Sequence, residues 1–203
     1  MQFTSFALAA LSMGSAIAAP ATHTADARQL QVLQVATTAV TTVKGTVEKD
    51  LSSLLTLSAG NVTLDVVPKV EQILTGVAGQ VTGLLSDVTP LVSGVVGSLT
   101  EDQLKGVPNL LNDATTLSSG IVSTAEKLVK TLPADVLKEV KPELQFLLST
   151  VQPLVKPIAS FALGAVGNLA GPLVQEVTGL VGGIQQIAGG ALSPLTSIVG
   201  GIL

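Results

Sequence analysis

The feature that most constrains this chain is a period. In "VATTAVTTVKGTVEKDLSSLLTL" the apolar positions Ala36, Val40, Val43, Val47, Leu51 and Leu54 take five steps over 18 residues, or 3.6 per step. That is the repeat of an amphipathic helix. A second series runs from Val66 through Val70, Ile73, Val77, Val81, Leu84, Val88, Leu91 and Val95 to Leu99. A third runs from Val107 through Leu110, Ala114, Leu117, Ile121, Ala125 and Leu128 to Leu132. The last runs from Leu173 through Val177, Leu180, Ile184, Ile187, Ala191, Leu195 and Ile198 to Ile202. A β-strand needs a period of 2, which "NVTLDV" alone follows, and only briefly. The fold class that results is all-α, a bundle of amphipathic helices rich in Val, Leu, Thr and Gly.

Prolines and turn residues divide the pattern. The expected helices are 28–58, 65–99 with a kink at Pro90, 101–131, 133–151, 153–170 and 172–192, with a short last helix to 203. "LSAGNVT" ends the first, and "TEDQ" from Thr100 to Gln103 has the spacing of a capping box. The other prolines are placed at helix starts or kinks, where a missing N–H is tolerated best. The polar faces hold Thr, Ser, Gly and Gln more than Lys and Glu. Each Gly costs about 1 kcal/mol against Ala in a helix, so these helices are marginal in isolation. Their Val/Leu stripes need an apolar cover, whether other helices, a lipid or a surface.

The two ends differ from the middle. "MQFTSFALAALSMGSAIAAP" has an apolar stretch and small residues at Ala16 and Ala18, the pattern of a signal peptide over residues 1–19, cleaved after Ala18 or Ala19. A polar leader, 20–28, is expected next, then an amphipathic bundle over 29–156. From 157 to 203 Glu176 is the sole charged residue. This Gly-rich tail reads as helical and packed on the bundle, because Gly and Ala permit close helix approach. Gly, Gln185, Gln186, Pro172 and Pro194 interrupt its apolar runs, which argues against a membrane hairpin. A glycolipid-anchor signal is the other reading of "SPLTSIVGGIL".

Composition excludes most chemistry. Net charge is −4, against the clustered Lys and Arg that nucleic acid demands. There is no Cys, so no disulfide framework. With one histidine besides, zinc and copper sites are not expected. That histidine, His23, falls in the leader "APATHTADARQ" and reads as a solvated residue, not a base. No Ser occupies a G-x-S-x-G elbow. No catalytic, metal or cofactor residue is therefore assigned, and the chain is not expected to be an enzyme. "NVT" makes Asn61 a candidate N-glycan acceptor. Phe146 and Phe161, the two Phe beyond the signal peptide, are expected in the core.

A Cys-free, Thr/Ser/Val/Leu-rich helical chain with "LQVATTAVTTVKGTVEKDLSSL" near its start resembles the fungal hydrophobic surface-binding protein and cell-wall mannoprotein group. The resemblance covers about residues 29–155 and includes no diagnostic motif. It implies a secreted protein, extracellular or in the cell wall, that adsorbs to hydrophobic surfaces or binds fatty acyl lipids through amphipathic helices. The stripe Val81, Leu84, Val88, Leu91, Val95 and Leu99, backed by Ser, Thr and Gly with Asp87 the only charge from 81 to 100, is the expected apolar contact. Two alternatives stand beside that reading: a closed helical carrier of an acyl lipid, and an anchored cell-wall structural protein.

Overall fold

A computed structural model describes residues 21–60, 62–93, 104–167 and 171–201, with side chains from Leu30 onward. The protein is all-α and free of cysteine. Helix α1 (Ala21–Ser58) is followed by a 3-10 turn (Leu64–Val66) and α2 (Val67–Ser93). Then come α3 (Val107–Thr131), a short α4 (Ala134–Glu139) and α5 (Lys141–Val166). Last are α6 (Pro172–Gln186), a π-helical segment (Ile187–Ala191) and α7 (Leu192–Gly200), which join without a break into one rod.

Four helices form the central bundle. α1 packs on α2 and α3, and α5 packs on the same two. α1 and α3 run parallel. Lys44 meets Asp113, and one heptad later on both helices Leu51 lies against Gly120. The rod lies across α3 and α5, antiparallel to α5, since Lys141 at the start of α5 reaches Gly200 at the rod's end.

The apolar period decides what goes inside. Ala36, Val40, Val47, Leu51 and Leu54 of α1 are buried, as are Val70, Val77, Val81, Leu84 and Val88 of α2. The whole series from Val107 to Leu132 is buried as well. Fully burying a Val or Leu contributes about 1.5–3 kcal/mol, which outweighs the tenths lost to the poor helix propensity of Val and Thr. Many hydroxyls turn back on their own helix, as Thr42 does to Thr38 O and Thr82 to Ala78 O. That satisfies them without Lys or Glu partners.

Several expected boundaries differ. α1 begins at Ala21, so the segment read as a polar leader is helical from that residue. The break expected between 151 and 153 is absent, and Pro153 and Pro157 lie inside α5. Each interior Pro costs about 3 kcal/mol. Leu144, Leu147, Leu148, Val151, Leu154, Val155 and Ile158 are all buried along the same helix, and their sum is larger. Pro153 is exposed and Pro157 half-buried, so the carbonyls left unpaired at Ser149 and Pro153 belong to exposed residues. The stop comes earlier instead, at Val140, ahead of Pro142 in the first turn of α5. The charge step at Lys156 is therefore no structural boundary: Lys156 and Pro157 share α5. Phe161 is in the core, but Phe146 is 47% exposed, because it projects from α5 opposite the stripe through Leu144, Leu147 and Val151.

The rod shows the largest change of face. The series after Ile184 expects Ile187, Ala191, Leu195 and Ile198 inside; Leu195 is buried, Ile187 and Ala191 are half-buried, and Ile198 is exposed. The buried residues are Leu192, Leu195 and Val199. A π-turn holds one more residue than an α-turn, so the segment Ile187–Ala191 brings Leu192 and Val199 inward in place of Ala191 and Ile198 and leaves Ile198 55% exposed.

Candidate functional site

The expected contact stripe lies on α2. Val81, Leu84 and Val88 are buried, Leu91 is half-buried, and Val95 and Leu99 lie outside the described residues. In this closed state the stripe faces α1 and α5, the helices against which α2 packs. It is therefore core here, and it reaches an external surface only if the bundle opens. Asn61 and the capping-box residues Thr100 and Gln103 also lie outside the described residues, as do the side chains of His23 and Arg28.

The polar face of α2 is smooth. Gly76, Gly79 and Gly83 are exposed, and a Cβ placed on any of them would meet nothing within 4 Å. Thr82 and Ser86 bond to their own helix. Between Gln72 and Ser93 the face offers Asp87 as its one charge, exposed to solvent, and no convergent set of donors to fix a ligand head group.

The charged interactions sit between helices. Lys44 Nζ donates to Asp113 Oδ1 at 2.6 Å, and Thr41 Oγ1 donates to Asp113 Oδ2. Both charged side chains are largely shielded, 23% and 18% exposed. The bond to Asp113 raises the Lys44 pKa above its usual 10.5. Burial pushes the Asp113 carboxyl up, but the hydrogen bonds from Lys44 and Thr41 outweigh it, and the net position is below 3.8. On the other side of α1, Gln80 Nε2 donates to Asp50 Oδ2 at 2.9 Å. These ties were not foreseen from sequence. Their signal was a lone Lys in "TTVKGT" and a lone Asp in "LLNDAT" within otherwise uncharged runs.

A cleft of about 470 Å³ opens between the N-terminal half of α1 and the start of α3. Leu30, Leu33, Gln34, Thr37 and Thr38 line it from α1, and Gly106 and Asn109 from the other wall. No local pattern could announce it, because its walls are roughly 70 residues apart in sequence. Among the described residues no group of three or more His, Cys, Asp or Glu could hold a metal ion. One described helix, Lys141–Val166, is long and apolar enough to cross a membrane, and 56% of its most apolar window is buried inside the bundle. No family model, curated protein or solved structure matches this chain.

Proposed function

We propose that this is a secreted, non-enzymatic protein that binds hydrophobic surfaces or acyl lipids through its amphipathic helices. The observation that supports it is the contrast between the two faces of each helix. Val and Leu stripes lie inside, and Ser, Thr, Gly and Gln faces lie outside with little charge. Apolar burial is non-directional and scales with area. A stripe covered by a neighbouring helix in water gains about as much from wax or an acyl chain. Opening is an exchange of covers, not a net exposure.

Adsorption to octyl-agarose beads tests the proposal. Binding is expected to persist in high salt, where screening weakens charge pairs and leaves apolar burial intact. Replacing Val81, Leu84, Val88 and Leu91 together by Ser is expected to weaken it, and replacing Lys127 and Lys130 is not. Circular dichroism on the same samples separates lost binding from lost helix. A wild-type protein that neither adsorbs nor retains lipid sinks the proposal. N-terminal sequencing of the exported protein is expected to read from Ala19 or Pro20, and a retained Met1 removes the secretory part.

The closed-carrier reading draws on the cleft between α1 and α3. Its volume is within the range of about 300–1,000 Å³ typical of small-molecule sites. Leu30 and Leu33 offer it apolar contact, and Gln34, Thr37, Thr38 and Asn109 offer hydrogen bonds. Native mass spectrometry of protein exported from a eukaryotic host distinguishes the two, since a carrier retains one lipid per chain and a surface binder retains none.

A further inference from the structure

We infer that the element which leaves the bundle to contact an apolar surface is the rod α6–π–α7, and that α1, α2, α3 and α5 stay together as it lifts. The inference rests on the surface-binding reading above and moves the contact from the α2 stripe to the rod, so that substituting Val81, Leu84, Val88 and Leu91 weakens adsorption only by loosening the bundle that carries the rod.

The first argument is what each element would have to break. Releasing α1 breaks Lys44–Asp113, Thr41–Asp113 and Asp50–Gln80. It would leave Asp113 without its donors next to an apolar phase, where an unpaired charge is most costly. The inward side chains of the rod are Val177, Val181, Ile184, Leu192, Leu195 and Val199, all apolar. Its sole charge, Glu176, is exposed. Three of its four hydroxyls bond within the rod, Thr178 to Val174 O and Thr196 and Ser197 to Ser193 O, and the fourth, on Ser193, is exposed. A polar tie to the bundle, Lys141 Nζ to Gly200 O at 3.1 Å, is at its very end. The rod can therefore move from one apolar cover to another without unpairing a buried charge, at the cost of the tie at its exposed end.

The second argument is local geometry. The chain enters the rod through Gly171 at φ 140°, a conformation that other residues rarely adopt. Within the rod the π-segment contains Gly189 and Gly190, both exposed. Single π-turns recur at functional positions in α-helices. This one turns Ile198 outward, and at 55% exposure Ile198 is the most exposed large apolar side chain among the described residues. It gives the rod a first point of contact with an apolar phase before any opening.

The test uses the absence of native cysteine. An ideal Cβ on Gly200 lies 4.0 Å from Gln145 Nε2, so Gln145→Cys with Gly200→Cys can be bridged by a short bis-maleimide that pins the rod to α5. Thr41→Cys with Asp113→Cys, bridged in the same way, pins α1 to α3. Each pair is compared with the same variant capped by N-ethylmaleimide, with helicity checked by circular dichroism, on octyl-agarose beads. Pinning the rod is expected to weaken adsorption at least tenfold, and pinning α1 is expected to leave it within twofold. Unchanged adsorption with the rod pinned overturns the inference, as does loss from pinning α1, whether alone or along with the rod. In each of those cases the wild type still adsorbs and the surface-binding reading stands; a wild type that does not adsorb fails that reading instead. Should the cysteine variants not fold, hydrogen exchange on the wild-type chain decides. Amides of 173–186 are expected to open at lower denaturant than those of 36–54, and exchange of both only through global unfolding overturns the inference.

Discussion

Asp113 illustrates how much one side chain decides in a chain so poor in charge. It accepts from both Lys44 and Thr41, and it ties α1 to α3 across their packed faces. Its folded pKa lies below 3.8, so as pH falls the unfolded chain takes up the proton first. The stabilisation is therefore present above about pH 4 and is lost as pH drops through the folded value. Lys44 has the opposite sign: its pKa is raised above 10.5, and its contribution is present below that value and is lost as pH rises through the folded one. Asp113→Asn is expected to lower stability by about 1 kcal/mol at pH 7 and to flatten the acid limb, as measured by urea unfolding at pH 7 and pH 3. Ser118 makes the contrary case. It is fully buried in α3, and its Oγ has no hydrogen-bond partner. Such a group costs about 1–3 kcal/mol. Ser118→Ala is expected to raise the urea midpoint with an unchanged slope, and a lower midpoint would show that the hydroxyl is bonded in solution.

At the scale of the element, α5 and the rod show where local rules yield. Pro153 and Pro157 are helix breakers by any local count, yet α5 runs through both, since its buried face gains more than the two prolines cost. Pro153→Ala is accordingly expected to stabilise, by about 1–3 kcal/mol, because it restores a backbone bond on an exposed turn and touches no core contact. A destabilised variant in thermal unfolding would mean that the fixed backbone angle of this proline contributes more than the bond it removes. In the rod the period is right as far as Ile184 and again at Leu195, but Leu192 and Val199 take the inward places expected of Ala191 and Ile198. The error has one cause, the π-segment, which no side-chain pattern marks. The glycines at 189 and 190 were visible, but Gly is equally dense at 182 and 183, where the helix remains regular.

At the scale of the molecule, the tail is a structural member as well as the proposed contact element. Its inward residues cover α3 and α5. Deleting residues 168–203 in water is expected to expose that face, and the loss of even three or four such contacts, at about 1.5 kcal/mol or more each, is comparable to the stability of a typical domain. The truncated chain is expected to aggregate through that face and to melt at a lower temperature. If it remains soluble and melts as the full chain does, the four-helix bundle is self-sufficient and the rod contributes only binding.

The sequence by itself determined that the chain is helical and which residues of α1, α2 and α3 face inward, because a 3.6 repeat of Val and Leu leaves one buried solution for each helix. It also determined that polar chemistry would be sparse, since the residue types are missing. The tertiary structure alone decided how those stripes are covered. Val81, Leu84 and Val88 are equally apolar whether the cover is a helix or a surface, and only the packing of α2 on α1 and α5 selects the helix. It decided too that α5 spans its prolines, that Lys44 finds Asp113, and that a cleft opens between α1 and α3. All of these depend on residues far apart in the chain, and a local period carries no information about distant partners.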